Sequence, residues 1–174
     1  MLFRSNLNII IVTKEDKVYE FKKNAINNSL LIFSNNKSII KQKISESFVE
    51  ELSYNGIVEL KNSYWHTMAL TVDGKLYCWG SNIYGVLGNG RSDGTFNKPE
   101  VNEYLIDKHI IQMSYGVEHS LVLTNERKVY GWGDNSYGQI GNRNIDYEDQ
   151  LIPYLVNEFN GKKVISISCG FLHS

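Results

Sequence analysis

The chain has little of what marks a secreted, membrane or nucleic-acid-binding protein. Two cysteines in 174 residues, Cys78 and Cys169, make neither a disulfide framework nor the paired spacing of a zinc site. This scarcity points to a reducing compartment, the cytoplasm or nucleus. Apolar runs stop at four residues, as at Ile9 to Val12, where a spanning helix needs roughly 20. The opening residues lack the apolar stretch and small-residue cleavage site of a signal peptide. Charge of one sign is absent too: 18 basic against 19 acidic residues leave a net −1. Neither nucleic acid nor an anionic membrane is therefore indicated as a partner. Prolines number two, Pro99 and Pro153. Glycine is missing only locally: of 14, Gly56 alone lies in the first 73 residues. A structure that needs tight backbone turns begins near residue 74 or has decayed before it.

What is present is a repeat. His66 to Gly90 aligned on His119 to Arg143, at an offset of 53 without a gap, gives twelve identities in 25 positions, where average residue usage gives about one or two. The period extends forward at an offset of 54, with Ile110 to Ser120 matching Val164 to Ser174 and Pro99 matching Pro153. Backward at an offset of 58, Thr13, Lys17, Tyr19 and Asn24 match Thr71, Lys75, Tyr77 and Asn82. There Lys22, Asn27 and Leu30 stand for Gly80, Gly85 and Gly88. The units read as residues 1–55, a worn first repeat with its connection, then 56–109, 110–163, and the opening of a fourth at 164–174.

Within a unit the pattern is that of strands. Ile110 to Ser114, Ser120 to Thr124 and Lys128 to Trp132 are short, apolar or alternating runs. Polar breaks at Val72-Asp73-Gly74 and Asn125-Glu126-Arg127 predict hairpin turns. A segment near Pro153 to Val156 suits an edge strand, where proline is tolerated. Four short strands per unit make a propeller blade. Ser45 to Leu52, with Phe48, Val49 and Leu52 among glutamates, instead predicts a short amphipathic helix or turn.

The recurring residues read as architecture. His66, His119 and His173 appear once per unit with no ligand beside them, so each is expected to bond neighbouring backbone in a buried loop rather than hold a metal. Trp79 and Trp132 alternate with Tyr77 and Tyr130 and are expected to pack blade against blade. Gly80, Gly85 and Gly88, with Gly133, Gly138 and Gly141, supply loop conformations; no helix or Gly-Lys-Ser/Thr follows them to bind phosphate. Asn82 and Asn135 suit the same loops. No nucleophile–base or paired-carboxylate arrangement stands out, which predicts a non-enzymatic chain without a cofactor. Asp146, Tyr147, Glu148 and Asp149 form the one concentrated acidic loop, a candidate docking patch for a basic protein partner.

These residues resemble the repeat of the regulator of chromosome condensation: Gly-x-x-His-(Ser/Thr), then Tyr-x-Trp-Gly-x-Asn-x-Tyr-Gly-x-(Leu/Ile)-Gly. His66, Trp79, Gly80, Asn82, Gly85 and Gly88 carry it once. Gly116, His119, Trp132, Gly133, Asn135, Gly138 and Gly141 carry it again, and Gly170 and His173 begin a further copy. The resemblance implies an all-β fold, a partial β-propeller of about three four-stranded blades and the N-terminal part of a seven-bladed ring. The opening is most similar to the proteins that join this propeller to a BTB domain. That likeness implies a protein-interaction module, substrate-selecting or regulatory, in a cullin ubiquitin-ligase adaptor. The alternative the family offers is a guanine-nucleotide exchange factor for a small GTPase, yet no wedge-sized loop insertion interrupts the units from residue 66 onward.

Overall fold

The computed structural model describes residues 52–63, 65–142, 148–159 and 161–174 in full, together with Asp16 and the backbone of four strands nearer the N-terminus. Those four are β1 (Leu2–Arg4), β2 (Asn8–Val12), β3 (Val18–Lys22) and β4 (Glu46–Phe48). The second unit supplies β5 (Ile57–Asn62), β6 (His66–Thr71), β7 (Leu76–Ser81) and β8 (Thr95–Val101). The third supplies β9 (Ile110–Tyr115), β10 (His119–Thr124), β11 (Val129–Gly133) and β12 (Gln150–Leu155). Each set of four is one antiparallel sheet with its strands in chain order. The fold is all-β, and such four-stranded meanders are propeller blades.

The two-residue period of a strand explains where the core lies. Met68 and Leu70 of β6 point to one face, into a cluster with Val86, Leu87, Ile110, Met113, Val122 and Trp132. Ala69 between them points to the other face, with Leu52, Leu60 and Trp79. The third unit repeats the division: Val122 faces back into the first cluster, while Leu121 and Leu123 face forward against Val164 and Ile167. The second and third sheets are therefore each a wall between two cores, and all six residues of β10 are buried. A strand covered on both faces needs apolar side chains at odd and even positions alike, which Leu121, Val122 and Leu123 supply.

The hairpins β6–β7 and β10–β11 turn where the sequence predicts. Each is a three-residue connection, closed by Gly74 N–H to Thr71 O at 3.0 Å and Arg127 N–H to Thr124 O at 2.9 Å. The third loop residue is left-handed: Gly74 at φ 80°, Arg127 at φ 66°, and Asp16 in the first unit at φ 58°. A turn followed by one left-handed residue is a standard three-residue hairpin, so backbone closure holds the shape even where glycine has been replaced. Exposed ion pairs accompany both turns, Asp73–Lys75 at 2.8 Å and Glu126–Lys128 at 2.7 Å.

In the outer strands the ladder slips at equivalent points, between Cys78 and Gly80 and between Gly131 and Gly133. Pro99 and Pro153 lie in the partner strand at that slip, so neither costs a regular ladder bond. The helix-or-turn expectation for Ser45 to Leu52 is corrected in part. Glu46–Phe48 is strand β4, paired with β3 from Tyr19 to Phe21, and Leu52 lies in a turn, while Ser45 and residues 49–51 lie outside the described residues. Ladder pairing has overridden a local pattern too short to nucleate a helix.

Candidate protein-interaction face

An antiparallel blade has two ends. At one end lie the β6–β7 and β10–β11 hairpins. At the other lie the short β5–β6 and β9–β10 connections and the long loops after β7 and β11. The repeated residues hold this second end in shape.

The short connections share one backbone bond: Ser63 N–H to His66 O, Gly116 N–H to His119 O and Gly170 N–H to His173 O, each 2.8 Å. A side chain at Gly116 would run into the His119 ring, and one at Gly170 into the His173 ring. In the second unit Ser63 occupies this position, and its hydroxyl sits 3.1 Å from His66 Nδ1. His66 also meets the ring of Tyr115 edge-on at 5.2 Å, across the boundary between units. His119 Nε2 lies 2.9 Å from the Ser174 hydroxyl, across the next boundary. The hydroxyls of Ser63 and Ser174 join the backbone expected beside these rings, where the backbone of His173 bonds His119. His66 and His119 thus brace their turns against the following unit.

Burial, reinforced by His119, pushes the His66 imidazole down to about 4. It is neutral in the fold and prefers charge in the unfolded chain below pH 6.5. Its contribution to stability is complete above pH 6.5 and is lost as pH falls toward 4, a difference of about 3 kcal/mol. Urea unfolding at pH 7 and pH 4 measures this, and His66→Leu should remove most of that acid sensitivity.

The asparagines tie the long loops. Asn82 Oδ1 accepts Leu87 N–H at 3.0 Å and its Nδ2 donates to Asn89 and to the Arg91 carbonyl. Asn135 Oδ1 accepts Ile140 N–H at 3.2 Å. Trp132 reaches back into the preceding unit and donates to Val86 O at 2.8 Å. Its Nε1 is 2.8 Å from where a Gly88 side chain would begin. Trp79 is buried in the cluster that faces the first unit.

On this frame the variable residues stand outward. The residue before each repeated histidine is Trp65, Glu118 and Leu172, and Trp65 is 53% exposed. The backbone of the first two is fixed by the frame: Trp65 O accepts Ser81 N–H at 3.0 Å and Glu118 O accepts Asp134 N–H at 2.7 Å. Of the predicted acidic loop, Asp146 and Tyr147 lie outside the described residues; Glu148 is exposed and Asp149 half-buried. Asp149 joins Glu118 and Asp134. Partial burial raises the carboxyls of Glu118 and Asp149, and Asp134 raises both further. Asp134 itself accepts from Ser136 N–H at 2.9 Å and Gln139 Nε2 at 2.6 Å. The equivalent loop of the second unit places Arg91 over Phe96, 5.9 Å from the ring centroid. Trp65 and Glu118 escape a search for motifs because they are where the repeat fails to repeat. That variation at a fixed position is the signal that marks them.

The family model described as the regulator of chromosome condensation (RCC1) repeat matches residues 73–123 and 128–174, and a second model of the same description matches residues 110–139. The human probable E3 ubiquitin-protein ligase HERC4 is 33% identical over 126 residues, 72% of this chain and 12% of that protein. The human E3 ubiquitin-protein ligase HERC2 is 36% identical over 126 residues, 72% of this chain and 2% of that protein. The chain thus spans a small part of these relatives. Among solved structures, yeast RCC1 (Prp20), determined bound to Kap60, superposes with a TM-score of 0.71 at 20% identity, over 98% of this chain and 39% of that one.

Proposed function

Because the chain belongs to the regulator of chromosome condensation repeat family, we propose that it serves as a protein-interaction module, its blades holding loops rigidly toward a partner. The observation that carries this reading is the separation of residues at one end of the blades. Histidine, glycine and asparagine recur and hold the loops, while Trp65, Glu118 and Leu172 differ at one repeated position. A binding surface needs such a division, because the frame must be constant while recognition is particular. Binding rather than chemistry is the role of these blades.

The finer reading is a substrate-selecting or regulatory part of a ubiquitin ligase. The HERC ligases, in which similar repeats occur, support it. The slightly longer spacing between the first and second units, 58 residues against 53, supports attachment to a BTB-type adaptor. The two free cysteines, Cys78 buried and Cys169 partly so, suit a cytoplasmic or nuclear setting.

Expressed in cells with an affinity tag, the chain should retain a reproducible set of proteins. Exchanging the loop 91–97 with 143–149 should remove most of that set while the melting temperature changes little. Recovery of the same proteins by the exchanged variant would contradict the reading.

A further inference from the structure

The two ends of the blades treat charge differently. Three of the ion pairs among the described residues, Asp73–Lys75, Asp107–Lys108 and Glu126–Lys128, lie at the hairpin end. Each of these three acids is neutralised by the lysine beside it. At the loop end Glu118 and Asp149 have no lysine or arginine partner among the described residues; partial burial raises both carboxyls, the Asp134 carboxylate raises both further, and Asp149 adds to the rise at Glu118. Like charges kept together on a rigid surface leave a negative field that an incoming cation relieves.

Apolar side chains line the same end. Trp65 is 53% exposed, and Leu172 occupies the equivalent position in the turn of the fourth unit. They form a row with the acid between them. The edge-on contact of His66 with Tyr115 joins the Trp65 turn to the turn that carries Glu118. The bond from Val117 N–H to Phe171 O, 3.3 Å, joins that turn to Phe171 and Leu172. The order along the row is aromatic, acidic, aromatic and aliphatic.

We propose that this row docks an extended protein segment in which basic and apolar residues alternate, its arginine or lysine on Glu118 and Asp149 and its apolar side chains on Trp65 and Leu172. The proposal rests on the reading of the chain as an interaction module and names the chemistry of the partner. Charge selects the sign of the segment and steers its approach; the aromatic and aliphatic side chains supply contact area at its centre. The mixed charge of the hairpin end offers neither.

The test is fluorescence anisotropy of a labelled peptide of alternating arginine and leucine, titrated with the whole chain. Two twins serve as controls, one with glutamate for arginine and one with serine for leucine. The arginine–leucine peptide should bind, and each twin should bind at least about ten-fold more weakly. Glu118→Gln with Asp149→Asn should weaken binding about ten-fold and flatten its salt dependence. Trp65→Ala should weaken it about ten-fold at unchanged salt dependence. Asp73→Asn with Glu126→Gln, at the hairpin end, should have no effect, and circular dichroism melting confirms that each variant is folded. Equal binding of the glutamate twin, or equal loss from the two pairs of acid variants, would overturn the proposal. If loop exchange removes cellular partners while Glu118→Gln and Trp65→Ala leave peptide binding intact, the module reading stands and the docking row falls.

Discussion

Trp132→Ala is expected to lower stability by about 4 kcal/mol, within the range for removing a large aromatic from a core. Trp132 is fully buried and lies in the cluster with Met68, Leu70, Leu87 and Met113 that joins the second unit to the third. The loss has two parts. The cavity forfeits the contacts of the indole, and Val86 O loses the 2.8 Å donor that reaches it across the boundary. Ser120 Oγ, 3.4 Å from that same carbonyl, satisfies it only weakly. Trp132→Phe separates the parts: it keeps most of the volume and removes the donor, and should cost about 1–3 kcal/mol. Equilibrium urea unfolding of the three proteins gives both figures. Equal losses for alanine and phenylalanine would assign the whole effect to the hydrogen bond.

Gly133→Ala is expected to cost about 3–4 kcal/mol, a fall of about 10 °C in melting temperature for a chain of this size. Gly133 has φ 101°, outside the conformations an L-residue adopts readily. A side chain there would press on the Glu118 carbonyl oxygen and stand 2.9 Å from His119 Cα. Both obstacles are backbone of the adjacent strand, held by Asp134 N–H to Glu118 O at 2.7 Å, so neither can swing aside. Gly138→Ala isolates the conformational part. Gly138 has φ 72° and open space around it, and its replacement should cost only about 1–2 kcal/mol. The difference between the two melting temperatures measures the steric part.

Much of this architecture was legible in the sequence because a repeat multiplies weak local signals. One Asp-Gly pair is a slight hint of a hairpin, but Val72-Asp73-Gly74 and Asn125-Glu126-Arg127 at an offset of 53 locate the same turn twice. The tryptophans were readable as contacts between blades for the same reason. The local detail was less accessible. Arg127 and Asp16 take a left-handed conformation that neither residue type advertises, because closure of the loop imposes it. Glu46–Phe48 became a strand through pairing with residues more than twenty positions away, which no local period encodes. The hydroxyl that meets His119 comes from the next unit, on Ser174, 55 positions away. For the interaction face, the acidic loop was visible as a run of charge. Trp65 and Glu118 became visible only when the fold put unlike residues in equivalent places.

The repeated residues lock the third unit to the second. The nuclear Overhauser spectrum of the Trp132 indole N–H tests this lock most directly, since that proton lies at the boundary between the second and third units. A slowly exchanging indole proton with cross-peaks to Leu87 and Gly88 is the expected result. An indole proton that exchanges freely with water, with no cross-peak to residues 86–88, would contradict the account.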